Sequence, residues 1–145
     1  MFKHILVPVD GSSTSNQALE KTVAIAQAFK STVTLLSVVD LYAFAGLGVD
    51  AAYGQVEYLS AAHAEATLAI DTAKTFFETS GVPVTASVVE GQVIYKSILE
   101  AAQAANADLI VMGSHGRKGL EKLVLGSVAA QVLSHTHLPV MIVRE

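Results

Sequence analysis

Five short apolar runs are spaced along the chain, and between them apolar residues recur every three or four positions. Such runs predict buried β-strands, and the longer spacing predicts helices that turn one face to a core. We expect the strands at residues 5–9, 33–39, 84–89, 108–112 and 140–143. We expect the helices at residues 14–29, 57–79, 92–106 and 128–135.

The alternation of strand and helix predicts a single α/β domain over residues 1–145. Because the strands are continuous apolar runs, we expect a doubly wound, five-stranded parallel sheet with helices on both faces. Such a sheet commonly has the order 3-2-1-4-5, with its switch point between the first and fourth strands. Thr14 and Gln17 have the spacing of a capping box for the first helix. Residues 41–55, which include three glycines, predict a long loop.

Composition narrows the classes of function. The chain has 145 residues and is 52% apolar and 15% charged, which excludes a disordered protein. Its net charge of −4 argues against a general nucleic-acid binder, and the absence of cysteine excludes disulfides and thiolate metal sites. The window Leu123–Val143 has no Asp, Glu, Lys or Arg, but glycine, proline and histidine interrupt it, so we expect no membrane span. With no signal peptide visible, we expect a cytoplasmic protein.

The loop after the fourth strand carries the most chemistry. Gly113 and Gly116 follow the strand, and Gly126-Ser127 opens the last helix. Glycine lets the backbone approach a phosphate closely or adopt positive φ, and a helix start presents N–H groups and the positive end of the dipole. Each glycine alone favours an ordinary turn, but together, at a switch point, they predict phosphate binding. Positive charge nearby comes from Arg117, Lys118 and Lys122.

Other polar residues have two interpretations. Asp10 follows the first strand and suits either a turn or a ligand contact; beside the glycine loop we favour the ligand. His115 either faces the phosphates or is a solvated loop histidine, and the sequence does not separate the two. His135 and His137 suit the end of the fourth helix better than a metal site, since no third ligand is apparent.

The glycines also follow a known pattern. Gly113-x2-Gly116-x9-Gly126-Ser127 matches the G-x2-G-x9-G-[ST] signature of the ATP-binding universal stress proteins. The resemblance covers the whole chain, from the opening Ile-Leu-Val-Pro-Val-Asp at residues 5–10 to the closing Pro-Val-Met-Ile-Val-Arg at residues 139–144. It implies the α/β fold expected above and an adenine nucleotide as the ligand.

Site residues follow from the resemblance by position. It implies that Asp10 bonds the ribose or adenine side of the nucleotide, that Pro8 and Val9 line the site, and that Val38 contacts adenine. It also implies that Met112, Gly113 and Gly116 surround the ribose and phosphates, and that Gly126, Ser127 and Val128 form the phosphate-binding helix start.

The resemblance favours an ATP-binding regulatory protein of the stress response, in which ATP is a bound signal and hydrolysis is at most slow. AMP or cyclic AMP is an alternative ligand, and Mg²⁺ would be held mainly by phosphate oxygens. The resemblance also implies a homodimer through Val140–Val143, and regulation requires a protein partner that the sequence does not identify. The competing hypotheses are a nucleotide-hydrolysing or adenylylating enzyme, whose HxGH or SGGxDS motifs do not occur here, and an interaction module without nucleotide.

Overall fold

The computed structural model describes residues 1–41, 51–115 and 125–144. Over these residues the chain forms one parallel sheet of five strands in the order β3-β2-β1-β4-β5, which confirms the predicted fold and strand order. The strands are β1 (His4–Pro8), β2 (Thr32–Asp40), β3 (Val84–Gly91), β4 (Leu109–Gly113) and β5 (Val140–Val143).

Helices cover both faces of this sheet. They are α1 (Ser13–Phe29), α2 (Ala51–Thr79), α3 (Ile94–Ala104) and α4 (Ser127–His135). Because side chains alternate along a strand, Ile5 and Val7 pack with α1 and α2, whereas Leu6 packs with α3 and α4. Each face therefore has its own apolar core, with Phe77 of α2 fully buried in the first and Val132 of α4 in the second.

The start of α1 differs from the predicted capping box. Ser12 is the N-cap, and its hydroxyl accepts a hydrogen bond from the Ser15 N–H at 3.2 Å. Thr14 lies inside the first turn, where its hydroxyl donates to the carbonyl oxygen of His115 at 2.7 Å. The predicted box was wrong because this tertiary contact, about 100 residues away in sequence, engages the Thr14 side chain.

The second helix also differs from its prediction. It begins at Ala51, six residues before the expected start, so part of the predicted loop 41–55 is helical. Gly54 lies inside this segment, and a glycine in a helix costs about 1 kcal/mol relative to alanine, which is why the sequence favoured a loop. Gly46 and Gly48 lie outside the described residues. No helix in the described part of the chain is long and apolar enough to cross a membrane.

Candidate nucleotide site

A cavity of about 540 Å³ lies at the carboxyl ends of β1, β2 and β4. This is the edge where open parallel sheets bind ligands, and the volume is within the range of about 300–1,000 Å³ that is usual for small-molecule sites. Residues of α2, α3 and α4 complete its wall. Nine of the residues predicted for the site line it: Pro8, Val9, Asp10, Val38, Met112, Gly113, Gly126, Ser127 and Val128.

Asp10 has a structural role as well as a place in the wall. One of its carboxylate oxygens accepts a hydrogen bond from the Ser12 N–H at 2.9 Å, which closes a turn between β1 and α1. Its own N–H donates to the Ser15 hydroxyl at 3.4 Å. Both interpretations of Asp10 are therefore compatible with the geometry, because the same carboxylate orders the turn and lines the cavity.

Apolar side chains form the wall beside Asp10. Val9 and Met112 are buried, and Val38 is half-buried at the carboxyl end of β2. They line the cavity together with Leu36 and Ile98. An apolar wall together with a carboxylate suits an aromatic ring that carries a sugar, since ligand pockets combine apolar surface with a few placed polar groups.

Gly113 is required by the protein's own packing. A Cβ at this position would lie 2.8 Å from the carbonyl carbon of Thr14 and 2.9 Å from the Ser15 nitrogen. The positive-φ glycines among the described residues are Gly11 and Gly81, so positive φ does not explain Gly113. The first glycine of the signature thus lets α1 approach the end of β4, a reason the sequence did not reveal.

Gly126 has a similar constraint at the other end of the signature. Its N–H donates to the carbonyl oxygen of Ser114 at 2.7 Å, and a Cβ would lie at the same distance from that oxygen. Gly126 is the N-cap of α4, with φ −62° and ψ 156° and no side-chain cap. Ser127 is therefore the first helical residue of α4 and not its cap.

The start of α4 is the part of the wall that suits an anion. The first N–H groups of a helix have no partner within it, and here they belong to Ser127 and the two residues that follow. They carry the positive end of the helix dipole. The exposed Ser127 hydroxyl adds a further donor. Together these groups can bind phosphate oxygens at the cavity wall.

Charge is distributed unevenly around the cavity. Among the described lining residues the acidic ones are Asp10, Asp40 and Glu65, and none is Lys or Arg. The predicted cations Arg117, Lys118 and Lys122, and the second signature glycine Gly116, lie outside the described residues. Phosphates would therefore be repelled from the three carboxylates and drawn towards α4.

The chain segment between β4 and α4 begins with two buried polar atoms. Ser114 is only 1% exposed, and within the described part of the chain neither its hydroxyl oxygen nor Nε2 of His115 has a hydrogen-bond partner. Buried polar atoms are usually paired. His115 as a whole is half-buried and lines the cavity, so its role towards the phosphates stays a prediction.

Two other histidines, His135 and His63, lie in other parts of the structure. Nδ1 of His135 is 2.8 Å from the Gln131 carbonyl oxygen at the end of α4, and its ring packs on Tyr95 with centroids 4.6 Å apart. Nε2 of His63 lies 2.6 Å from a carboxylate oxygen of Glu90 and joins α2 to β3. Both have structural partners away from α4's first turn.

Comparison with known proteins now identifies the family. The profile of the Universal stress protein family matches residues 1–144. The chain belongs to the universal stress protein family. It also carries the glycine signature of the ATP-binding members, Gly113-x2-Gly116-x9-Gly126-Ser127.

Individual relatives agree with this assignment over nearly the full chain. The universal stress protein MJ0531 of Methanocaldococcus jannaschii is 36% identical over 145 residues, which cover 100% of this chain and 84% of that protein. The solved structure of MJ0577 is 30% identical with a TM-score of 0.86, covering 100% of this chain and 97% of that one. The universal stress protein UspA from Lactobacillus plantarum is 30% identical with a TM-score of 0.87, covering 98% and 97%.

Two more distant universal stress proteins were solved with nucleotides. One, in complex with cAMP, is 22% identical with a TM-score of 0.62, and covers 99% of this chain and 97% of that one. The other, from Arabidopsis thaliana with AMP bound, is 18% identical with a TM-score of 0.70, and covers 99% and 92%. At these identities the likeness shows the shared fold.

Residues that the sequence did not single out also line the cavity of this universal stress protein. Asp40 is the last residue of β2, and Tyr58 and Glu65 come from α2. Asp40 had a detectable signal, because it ends a buried strand at the same edge as Asp10. The α2 residues had none, since their place depends on how the helix crosses the sheet.

Proposed function

We propose that this universal stress protein binds ATP in the cavity at the carboxyl edge of the sheet. The observation that carries the proposal is the arrangement of the wall, in which α4 begins on the same cavity that Asp10 and Val38 line. The nucleoside would lie against the apolar wall with its ribose near Asp10, and the phosphates would lie at the α4 start. The nucleotides held by the two distant relatives support an adenine nucleotide as the ligand class.

A triphosphate suits the charge distribution better than a monophosphate does. The phosphate chain has to extend away from Asp10, Asp40 and Glu65 and towards the first N–H groups of α4, which have no partner within the helix. Arg117, with the neighbouring Lys118 and Lys122, would add positive charge, and Gly116 would let the backbone approach the phosphates. Mg²⁺ would enter with ATP and be held mainly by phosphate oxygens and water.

The bound nucleotide would act as a signal, with hydrolysis slow or absent. Catalysis of phosphoryl transfer needs positioned metal ligands and a residue that orients the nucleophile. The α4 start supplies backbone N–H groups and the Ser127 hydroxyl, which bind ground state and transition state alike and so give affinity without rate. Turnover of about 1 per second or faster in a sample free of contaminating ATPases would instead support the enzyme hypothesis.

Nucleotide released from the purified, denatured protein tests the ligand directly. Chromatography with mass spectrometry should find ATP as the main adenine nucleotide. AMP or cyclic AMP in its place would keep the site but change the ligand. A protein purified without any nucleotide, and unable to take one up, would favour the interaction module.

We also propose a homodimer joined through β5. This strand is at the edge of the sheet, and its Met141 is 38% exposed. An exposed apolar edge strand invites pairing with another chain. Light scattering should give twice the mass of the chain at micromolar concentration, and a monomer would contradict the dimer. A cytoplasmic location and a regulatory protein partner remain predictions.

A further inference from the structure

We propose that Thr14 is a positioning residue that sets how strongly the site prefers ATP over adenosine. Thr14 does not line the cavity, but its hydroxyl holds the backbone that connects the two ends of the site. This inference rests on the proposed function, since it concerns how the same cavity receives phosphates.

The contact between Thr14 and His115 is short and partly buried. Thr14 is 3% exposed, and its Oγ1 donates to the carbonyl oxygen of His115 at 2.7 Å. The Ser12 hydroxyl approaches the same oxygen at 3.5 Å, a much weaker interaction. Of the described donors to the His115 carbonyl, Thr14 is therefore the stronger, and His115 is a residue of the cavity wall.

Gly113 makes this contact close. A Cβ at Gly113 would lie 2.5 Å from Oγ1 of Thr14. The first turn of α1 thus packs directly on the end of β4. Any displacement of Ser114 and His115 towards α1 is blocked by this packing, and displacement away from α1 breaks the hydrogen bond of Thr14.

A second hydrogen bond fixes the preceding carbonyl. The Ser114 carbonyl oxygen accepts from the Gly126 N–H at 2.7 Å, where α4 begins. Two consecutive carbonyls are therefore held by different helices, that of Ser114 by the start of α4 and that of His115 by α1. Through this pair the position of α4 is fixed relative to the turn that contains Asp10.

One ligand has to reach both ends of that arrangement. ATP would contact Asp10 through its ribose and α4 through its phosphates, whereas adenosine ends at the ribose. Fixing the geometry before binding lowers the cost of ordering on binding. Removing the Thr14 hydroxyl leaves the His115 carbonyl without its short hydrogen-bond partner, a loss that typically weakens a dependent equilibrium about tenfold. We therefore expect the affinity for ATP to fall and the affinity for adenosine to stay nearly unchanged.

The matched control is Thr22, in the same helix. It is fully buried, and its hydroxyl donates to the Ala18 carbonyl oxygen, also at 2.7 Å, within α1. Thr14→Val and Thr22→Val remove the same group from buried positions, but among the described residues the Thr22 hydroxyl bonds within its own helix and the Thr14 hydroxyl bonds to His115. Thr14→Ser restores the hydroxyl without the methyl group, and Thr14→Ala replaces Thr14→Val if valine does not fit beside Gly113.

Calorimetric Kd values for ATP and adenosine test the proposal. We expect Thr14→Val to weaken ATP about tenfold and adenosine less than twofold, while Thr14→Ser and Thr22→Val change neither by more than twofold. An unchanged ratio of the two Kd values in Thr14→Val and Thr14→Ala, or an equal shift in Thr22→Val, would overturn it. If the unmodified protein fails to bind ATP, the proposed function itself is wrong, which is a separate outcome.

Discussion

At the amino-terminal edge of the sheet Asp108 accepts hydrogen bonds from the N–H groups of Lys3 and His4 at 2.8 and 3.1 Å. At the carboxyl edge the buried Ser114 hydroxyl and the His115 ring nitrogen Nε2 have no such partner within the described residues, and the acidic side chains of Asp10 and Asp40 line a cavity. Hydrogen bonds from backbone N–H groups thus cover the amino-terminal edge at Asp108, whereas a cavity opens at the carboxyl edge. The open edge is the one at which parallel sheets bind ligands.

The two edges of the sheet also differ in what their hydrogen bonds connect. On the amino side, Nδ1 of His4 lies 2.7 Å from the Thr32 hydroxyl, and the Ser31 hydroxyl donates to the Phe2 carbonyl. These bonds join neighbouring strands and serve stability. On the carboxyl side, the His115 carbonyl accepts a hydrogen bond from α1 and the Ser114 carbonyl accepts one from the start of α4. These bonds therefore set the shape of the cavity.

The largest effect is expected from Gly113→Ala. Its Cβ would contact the backbone of α1 at 2.8–2.9 Å, and overpacking of this kind costs about 1–3 kcal/mol, with the upper end expected because backbone must move. The control is Gly54→Ala, where a Cβ meets nothing within 4 Å and helix propensity should stabilise the protein by about 1 kcal/mol. Urea denaturation measures both. Equal stability of the two variants would contradict the packing role of Gly113.

The second-largest effect is expected from Ser127→Pro, which should weaken ATP binding. Proline is tolerated at the first position of a helix, and Gly126 already has the extended conformation that precedes proline. The variant removes one N–H and one hydroxyl from the α4 start, so ATP should bind about tenfold more weakly with little change in stability. Ser127→Ala removes the hydroxyl alone and should lose less. ATP affinity that is unchanged in both would place the phosphates elsewhere.

Asp10→Asn should have a smaller and selective effect. Asparagine keeps an oxygen to accept from the Ser12 N–H, so the turn is preserved. Adenosine should bind about fivefold more weakly because a charged acceptor for the ribose is lost. ATP should lose less, since removing a negative charge also reduces repulsion of the phosphates. A larger loss for ATP than for adenosine would reverse the proposed orientation.

The smallest effect is expected from Asp108→Ala, at the amino-terminal edge of the sheet. Partial burial would raise the pKa of Asp108, but hydrogen bonds from the Lys3 and His4 N–H groups outweigh it and hold the pKa below its ordinary value of 3.8. The stability this contributes is present above pH 3.8 and is lost as the pH falls through the lower folded value. Asp108→Ala should therefore cost below about 1 kcal/mol at pH 7, because the group is largely exposed to water. Its ATP affinity should be unchanged.

The sequence predicted those features that depend on local pattern. Continuous apolar runs identified all five strands, and the strand order and switch point were confirmed. The structure also brings Asp10, Val38 and Gly126, which the family resemblance assigned to the site, to the wall of one cavity, and their contact with a nucleotide stays a prediction.

Features set by contacts between distant residues escaped prediction. The packing of Gly113 on α1, the true cap Ser12, and the contribution of Glu65 depend on how helices cross the sheet. The early start of α2 was hidden by Gly54, whose unfavourable helix propensity is overridden in the structure. A single sequence does not specify these contacts, since each joins elements far apart along the chain.

Titration calorimetry of the nucleotide-free protein shows whether the cavity at the carboxyl edge binds ATP. We expect saturable binding of one ATP per chain, with a Kd in the micromolar range or below, and weaker binding of adenosine. An absence of saturable ATP binding at millimolar concentration, in protein shown to be folded, would contradict it.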